Sequence, residues 1–342
     1  MITASYHING HKVKYYFEQS IKGIDSFSSK ALTVLITDAQ VHAAYTSFFE
    51  GRKVIVLPVG EAAKTLESIA KVIQELVDMQ VHKGYLLVGM GGGVVTDVTG
   101  FVASIYMRGL PFAYMPTSLL AMVDAAIGGK NGINYGNHKN MIGTIRQPNW
   151  IIFDRTMLYT LPHSEWVNGF AEVIKYGVVL HQSLFTLLQQ HTIHDFKHKH
   201  YLTAKLLYIC THIKSLIVEQ DEQDNGQRRL LNFGHTCGHA IEKLEHIPHG
   251  YAIAKGMHIA LKLSEEMYNL PTTHKQAILD LLTKYELPTA ITSNVQDMLN
   301  LIQLDKKRAD NHINFILLSS KGQASVVPIS LLQLNDLFNQ IV

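Results

Sequence analysis

The sequence has almost no cysteine: Cys210 and Cys237 are the only two in 342 residues. Two thiols cannot frame a disulfide-built fold, and such sparing use suits a reducing compartment. A charge surplus of one sign is also missing. Lys+Arg is 30 against Asp+Glu 28, a net charge of +2, and the basic residues form no long run, which argues against a nucleic-acid partner. No uninterrupted apolar run reaches the roughly 20 residues a membrane helix needs. The first residues, MITASYHINGHKVKYY, carry no signal-peptide pattern. No internal repeat or low-complexity tract interrupts the chain. These absences leave a soluble globular protein, expected in the cytoplasm, with neither membrane nor nucleic acid among its partners.

What is there is apolar and rich in glycine and histidine: hydrophobic residues make up 47 %, with 24 Gly and 19 His. A chain of this length exceeds one ordinary core, so two domains are expected. Two short alternating segments around Gly10 read as a hairpin or edge strands. Buried strands are expected at 31–37, 53–57, 85–88 and 112–115, and helices at 41–49, 66–79 and 94–107. That alternation predicts an α/β domain built on a doubly wound, Rossmann-like parallel sheet. After a strand at 151–153 the pattern becomes mainly helical, at 162–179, 199–218, 252–269, 273–285 and 295–304. A hairpin over 313–329, turning at Ser320-Lys321-Gly322, and a last helix over 332–341 complete it. The expected domains are 1–158, α/β, and 159–342, mainly α-helical.

The first domain has two glycine-rich stretches. Gly89-Met90-Gly91-Gly92-Gly93 sits between a strand and a helix, where backbone N–H groups and the helix N-terminus can hold phosphates. It departs from GxGxxG because position 94 is Val, and a tight turn would explain it equally. Asp38, and Glu61 with Lys64, end earlier strands on the side where such sheets bind ligands. They suit ribose and phosphate, or are a helix N-cap and solvated loop charges. Residues 117–143 hold five glycines, two lysines and four asparagines. Gly129-Lys130 has the last two residues of a P-loop core, but Asp124 and Asn131 break the rest. The stretch reads as a long functional loop, and Arg108, Lys130 and Lys139 suit an anionic substrate.

In the second domain the densest chemistry is in 230–256, LLNFGHTCGHAIEKLEHIPHGYAIAKG. His235, His239 and His249 each adjoin a glycine, which lets backbone approach whatever the imidazole binds. His235 and His239 are four apart and share one helix face; His249 lies beyond Pro248 and must return by a turn. Spacing alone therefore favours His239 as the partner of His235. Glu172, in the apolar AEVIKYGVVL, needs a partner there, and Lys175 or a metal would serve. A carboxylate with two or three histidines and no thiolate pair suits Zn²⁺ or another divalent ion. With a dinucleotide loop elsewhere in the chain, that points to hydride chemistry on an anionic alcohol.

The chain resembles the 3-dehydroquinate synthases over nearly its whole length. The resemblance is carried by PVGEAAK (58–64), GGGVVTDVTGF (91–101), YMRG (106–109), PTSLLAMVDAAIGGKNGIN (116–134), KNMIG (139–143), TLPHSEWVNGFAEVIKYG (160–177), DEQDNGQRRLLNFGHTCGHAIE (221–242), PHG (248–250) and DKK (305–307). It implies the fold of that family, a homodimer, NAD, and a divalent metal (Zn or Co). The implied activity converts a seven-carbon keto-acid phosphate, DAHP, into 3-dehydroquinate and phosphate in the shikimate pathway to aromatic amino acids. The C5 alcohol is transiently oxidised, phosphate is eliminated, the ketone is re-reduced, and the ring opens and closes by an aldol step. NAD is regenerated within the cycle.

The resemblance further implies that Glu172, His235 and His249 bind the metal, which overrules the spacing argument and moves His239 to the substrate pocket. Lys130, Asn140, Lys175, Lys214, Arg228 and Asn232 match pocket residues, and Asp124 a residue near metal and nicotinamide. Arg108 matches a residue that reaches the phosphate from the partner subunit, and Lys306 or Lys307 one that closes over substrate. The NAD site is matched by Asp38, Glu61, Lys64, Gly91, Gly92, Gly93, Val94, Asp97, Thr117, Ser118, Lys130, Lys139 and Thr160. Thr96, Ala125-Ala126, Tyr251 and Gln40 depart from common family residues. Rival readings are a related sugar phosphate cyclase, a metal-dependent NAD polyol dehydrogenase, and a scaffold that kept only the fold.

Overall fold

Buried apolar runs of four to six residues pair where both faces of a sheet are covered. In the computed structural model, which describes residues 2–136, 138–306 and 312–341, the first nine strands are β1 (Ile2–Ile8), β2 (His11–Phe17), β3 (Thr33–Asp38), β4 (Lys53–Leu57), β5 (Leu86–Gly91), β6 (Phe112–Pro116), β7 (Lys130–Tyr135), β8 (His138–Ile145) and β9 (Trp150–Phe153). Seven of them form one sheet in the order β1-β2-β9-β6-β5-β3-β4. All its ladders are parallel except the β1–β2 hairpin at the edge. Val34, Leu35, Ile36, Leu87 and Val88 are buried in its centre.

The order carries information that no single strand does. β3 lies between β4 and β5, so the chain leaves β3 on one side and returns on the other. Thr37 pairs with Met90. The end of β3, at Asp38, therefore lies beside the glycine-rich end of β5. In open α/β sheets this switch point is where ligands bind.

The stretch 117–143, expected as a long loop, is mostly ordered structure. A π-helical turn, Ala121–Ala125, leads into the antiparallel pair β7–β8, with Gly132 opposite Gly143. A Cβ on Gly143 would stand 2.4 Å from the Asn131 carbonyl, so these glycines permit close strand approach rather than flexibility. Gly136-Asn137 between alternating residues was the overlooked hairpin signal; Asn137 lies outside the described residues.

Asn131 explains why the hairpin sits where it does. Tyr114 donates its hydroxyl to Asn131 Oδ1 at 2.5 Å, and Asn131 Nδ2 donates to the Gly129 and Arg146 carbonyls at 2.8 and 3.0 Å. A Cβ on Gly100, in the helix Gly93–Ile105, would stand 2.0 Å from Asn131 Oδ1 and 2.3 Å from the Tyr114 hydroxyl. Gly100→Ala is therefore expected to cost about 3 kcal/mol through overpacking and a broken buried network. Urea denaturation will show this as a lower midpoint with an unchanged slope.

Two compact units result, and they do not follow the expected boundary at 158/159. One comprises Met1–Pro162 and Lys199–Gln223; the other comprises His163–His198 and Asp224–Val342. The helix His200–Gln220 belongs to the first unit because the sheet needs it. Buried Tyr15 accepts from Ser215 Oγ at 2.9 Å, and Tyr6 meets His212 Nδ1 at 2.9 Å. The second unit is mainly helical, as expected, with the hairpin β10 (His312–Ser320) and β11 (Gln323–Ser330) and a final helix, Leu331–Ile341. Ile241, Ala252, Ile259, Leu263, Phe315, Leu317 and Phe338 form its core. Among the described residues no helix is long and apolar enough to cross a membrane.

Candidate active site

In the second unit the helix His163–Val179 is buried from Trp166 to Val179, and this run includes Glu172 and Lys175. A carboxylate and an ammonium three residues apart meet on one helix face, and Lys175 Nζ lies against Glu172 Oε2. Two other helices bring imidazoles to the same carboxylate. His235 opens the helix His235–Glu245 and His249 opens the helix His249–Tyr268. Their Nε2 atoms stand 3.4 and 3.5 Å from Glu172 Oε1. One ligand atom from each of the three residues lies within 4.8 Å of the others.

The donor set and its surroundings fit a divalent metal. Neither buried oxygen of Glu172 has a hydrogen-bond partner; only charge faces them. His235 Nδ1 lies 3.2 Å from the Phe233 carbonyl, and His249 Nδ1 lies 3.4 Å from Glu242 Oε2. Such outer contacts fix the tautomer and leave Nε2 for a metal. Burial would raise the Glu172 carboxyl, but the Lys175 ammonium and then His235 hold it well below the usual carboxylate range. Burial and Lys175 lower His235, against the pull of Glu172. His249 also loses by burial, yet Glu172 and Glu242 together raise it to about 9. A divalent cation held by these residues would take the place of that proton.

Glu242 was not singled out from the sequence. Its only signal was a carboxylate within the apolar turn of CGHAIEKL, three residues beyond His239. Glu242→Gln is expected to weaken metal binding about tenfold while the protein stays folded, since outer partners of this kind carry roughly 10- to 100-fold of affinity. Calorimetric titration of chelator-stripped protein with Zn²⁺ measures it.

His239 is not among the three residues whose ligand atoms cluster, although its ring lies 5.3 Å from that of His235, as near as the ring of His249 at 5.5 Å. The pairing of His235 with His239 suggested by spacing is thus replaced by His235 with His249, because the third helix turns back at Pro248. His239 instead lines a cavity of about 330 Å³ with Asn232, His235 and Arg229. Arg229 and Asp224, also in that wall, escaped the sequence reading, which pointed to Arg228; Arg228 is buried. Tyr251 lines a separate, mostly apolar cleft with Ile247, Leu287 and Pro288. Lys306 ends the helix Val295–Lys306, and Lys307 lies outside the described residues.

In the first unit the glycine loop joins β5 to the helix Gly93–Ile105. Gly92 is the N-cap, with no side-chain cap and no acid in the first turn. The Thr117 N–H donates to the Gly91 carbonyl at 2.9 Å, Ser118 Oγ accepts the Ala121 N–H, and Val94 is half-buried in the first helical turn. Asp38 caps the next helix, accepting the Val41 N–H at 2.9 Å. Thr160 Oγ1 meets the Tyr45 hydroxyl at 3.0 Å. Of the departures, Thr96 Oγ1 donates to the Gly93 carbonyl at 2.9 Å, and Ala125 Cβ is 3.1 Å from where a Gly93 Cβ would stand.

A chain of polar contacts continues from there. Buried Lys64 donates to Asp97 Oδ2 at 2.7 Å and to Asn140 Oδ1 at 2.5 Å. The Asn140 N–H reaches Asn134 Oδ1, and Asn134 Nδ2 reaches Glu61 Oε2 at 2.8 Å. Burial raises the Asp97 carboxyl to about 6, against Lys64. Lys214 Nζ donates to the Asp124 carbonyl and carboxylate at 2.8 and 2.6 Å. Lys130 and Lys139 are exposed on the hairpin, and Arg108 is exposed with φ +64°.

Comparison with known proteins agrees with this picture. The model of the 3-dehydroquinate synthase N-terminal region matches residues 54–168, and that of the 3-dehydroquinate synthase C-terminal region matches 169–308. The chain is 41 % identical over 283 residues to a 3-dehydroquinate synthase of Pyrococcus abyssi, covering 81 % of this chain and 82 % of that one. It is 40 % identical over 304 residues to that of Dichelobacter nodosus, covering 86 % and 82 %. Among solved structures, a 2-deoxy-scyllo-inosose synthase complexed with carbaglucose-6-phosphate, NAD⁺ and Co²⁺ superposes over both whole chains with TM-score 0.88 at 21 % identity. A 2-epi-5-epi-valiolone synthase from Streptomyces hygroscopicus, with NAD⁺ and Zn²⁺ bound, does so over 96 % of each chain with TM-score 0.85 at 24 % identity. The latter two establish the fold. With two family models spanning most of the chain and relatives about two-fifths identical over four-fifths of it, the chain belongs to the 3-dehydroquinate synthase family.

Proposed function

We propose that the chain converts DAHP to 3-dehydroquinate and phosphate, as a phosphate-eliminating carbon–oxygen lyase using NAD and a divalent metal, Zn or Co. The observation that carries this is Glu172. The carboxylate is fully buried, Lys175 faces one of its oxygens, and the ligand atoms of Glu172, His235 and His249 converge within 4.8 Å of one another, the donor types and spacing that a divalent cation takes. When bound, NAD supplies a reversible hydride acceptor and the metal acidifies an alcohol. Glu172, His235 and His249 are the metal ligands. Lys175, Arg228, Asn232 and His239 take the substrate's anionic and hydroxyl groups, as do Lys130, Asn140 and Lys214. Lys306 or Lys307 closes over the substrate. The helix N-terminus at Gly92–Gly93 holds the pyrophosphate, with Val94, Asp97, Thr117, Ser118, Thr160, Lys130 and Lys139 around the dinucleotide and Asp38, Glu61 and Lys64 toward its ribose. Asp124 orients Lys214.

The experiment is an assay of purified protein with DAHP and catalytic NAD, with and without chelator. It follows phosphate release and the conversion of product by added dehydroquinase. Phosphate and 3-dehydroquinate in equal amounts, abolished by chelator and without net NADH, are expected. NADH accumulating without phosphate would instead mark a polyol dehydrogenase. Phosphate release from another sugar phosphate but not from DAHP would mark a related cyclase.

We also infer a homodimer in the cytoplasm. Cys210 and Cys237 are buried and form no disulfide, which suits a reducing compartment. Met141 and Ile145, on one face of β8, are 58 % and 38 % exposed, and Ile105 and Met107 are exposed as well. The Thr144–Ser104 hydrogen bond of 3.1 Å ties the two segments together. Apolar side chains gathered in this way suit contact with a second copy. Arg108 follows Met107 in a left-handed backbone, φ +64° and +49°, a conformation held only where neighbours enforce it. Met141→Asp is expected to yield monomers by sedimentation velocity and to lose activity as Arg108 loses its place in the partner.

A further inference from the structure

The helix His249–Tyr268 begins without a side-chain cap, because its N-cap residue is Pro248. The first N–H groups of a helix have no partner within it and need one from elsewhere. Those of Tyr251 and Ala252 reach the Pro248 carbonyl at 3.0 and 3.1 Å. That of Gly250 leaves the helix altogether and donates to Asn168 Oδ1 at 2.6 Å. Asn168 is buried in the helix His163–Val179, one turn before Glu172 and on the same face. Its amide nitrogen donates to Glu165 Oε2 at 3.1 Å, which leaves the oxygen for Gly250. The backbones also touch there. A Cβ on Gly250 would stand 2.1 Å from the Asn168 carbonyl oxygen.

The contact therefore adjoins His249 on one helix and lies one turn from Glu172 on the other. We propose that Asn168 is the positioning residue that sets Glu172 and His249 at ligand distance, by capping the first turn of the His249 helix from the Glu172 helix. Glu242 orients the His249 ring; Asn168 and the bare Gly250 hold the backbone from which that ring projects. The 3.5 Å between Glu172 Oε1 and His249 Nε2 is a consequence of that clamp. The proposal rests on the reading of Glu172, His235 and His249 as a metal site. It adds a residue that touches neither metal nor substrate.

The test uses the full chain, stripped with chelator and titrated with Co²⁺. It records the dissociation constant by calorimetry, the visible absorption of bound Co²⁺, and thermal unfolding of the metal-free protein. Asn168→Ala is expected to raise the dissociation constant about tenfold, the scale of outer-partner effects, and to change the Co²⁺ absorption bands. Asn168→Ser, one atom too short to reach the Gly250 N–H, gives the same rise and decides the matter if the alanine variant does not fold. The double variant Glu165→Gln/Asn168→Asp keeps an acceptor toward Gly250. The amide it introduces at position 165 donates to the new carboxylate, so the two positions keep one negative charge between them. It returns the affinity and the absorption bands to the wild-type values. A merely structural Asn168 would lower the unfolding temperature while leaving Co²⁺ affinity and spectrum unchanged, and that result overturns the proposal. Wild-type protein that binds no Co²⁺ would overturn the metal-site reading itself, and this inference with it. Wild-type binding with unaltered affinity in Asn168→Ala overturns the inference alone.

Discussion

Glu172→Gln is expected to remove the metal and with it at least about a thousandfold of turnover, since a bound cation contributes several kcal/mol of transition-state stabilisation. The same change should destabilise the fold. Glu172 and Lys175 are 0 % and 1 % exposed, and their charges meet directly. Removing the carboxylate leaves a buried ammonium without its anion, a loss of about 3–5 kcal/mol in comparable pairs. The double variant Glu172→Gln/Lys175→Met separates the two effects. It removes the orphaned charge, so urea denaturation should show most of the stability restored, while phosphate release stays at the level of the single variant. A Glu172→Gln variant that binds Co²⁺ with wild-type affinity would mean that Glu172 is a structural ion-pair partner rather than a ligand.

Gly91→Ala and Gly92→Ala, one residue apart, are expected to fail in opposite ways. A Cβ at Gly91 would lie 2.4 Å from Val95 Cγ2 and 2.6 Å from Val95 Cβ. These belong to a β-branched side chain inside a helix, which has little freedom to move. Gly91→Ala should therefore lose about 2 kcal/mol of stability by overpacking. A Cβ at Gly92 meets only Ser118 Oγ, at 3.6 Å, and its backbone, φ −71° and ψ −172°, suits any residue. Stability should stay within about 0.5 kcal/mol of wild type. Yet this residue caps a helix whose first N–H groups face outward without a side-chain partner. If pyrophosphate sits there, an added methyl holds it off and two charge-assisted bonds weaken. That is about 3 kcal/mol, or roughly a hundredfold in the dissociation constant for NAD. Calorimetry with NAD measures it beside urea denaturation. Wild-type NAD affinity in Gly92→Ala would place the dinucleotide elsewhere.

These two sites were legible in the sequence to different degrees. The glycine loop could be read directly, because a strand, a run of glycines and a helix are neighbours in the chain. Its importance could not, since only the sheet order brings the end of β3 to the end of β5. The stretch 117–143 was misjudged because five glycines look like freedom. Two of them instead let β7 and β8 approach, and Gly100 makes room for Asn131 from a different element. The histidines show the same limit. Helical spacing joins His235 to His239 and cannot see across Pro248, so the preference for His249 over His239 entered only through the family resemblance. Glu242 and Asn168 gave almost no signal, since each acts on a residue of another helix.

Outside 117–143 the order of residues was enough to settle most of the elements: apolar runs that bury as strands, amphipathic segments that bury as helices, and the residue types able to hold a metal and a dinucleotide. These follow from period and side-chain chemistry, which are local. The choice of partners came only with folding in three dimensions. It placed the helix His200–Gln220 with the sheet through Tyr15 and Ser215, and set the Glu172 helix against the first turn of the His249 helix. Each of those outcomes satisfies a buried polar group with one distant in the chain, and a periodic pattern contains no record of which distant group will be there.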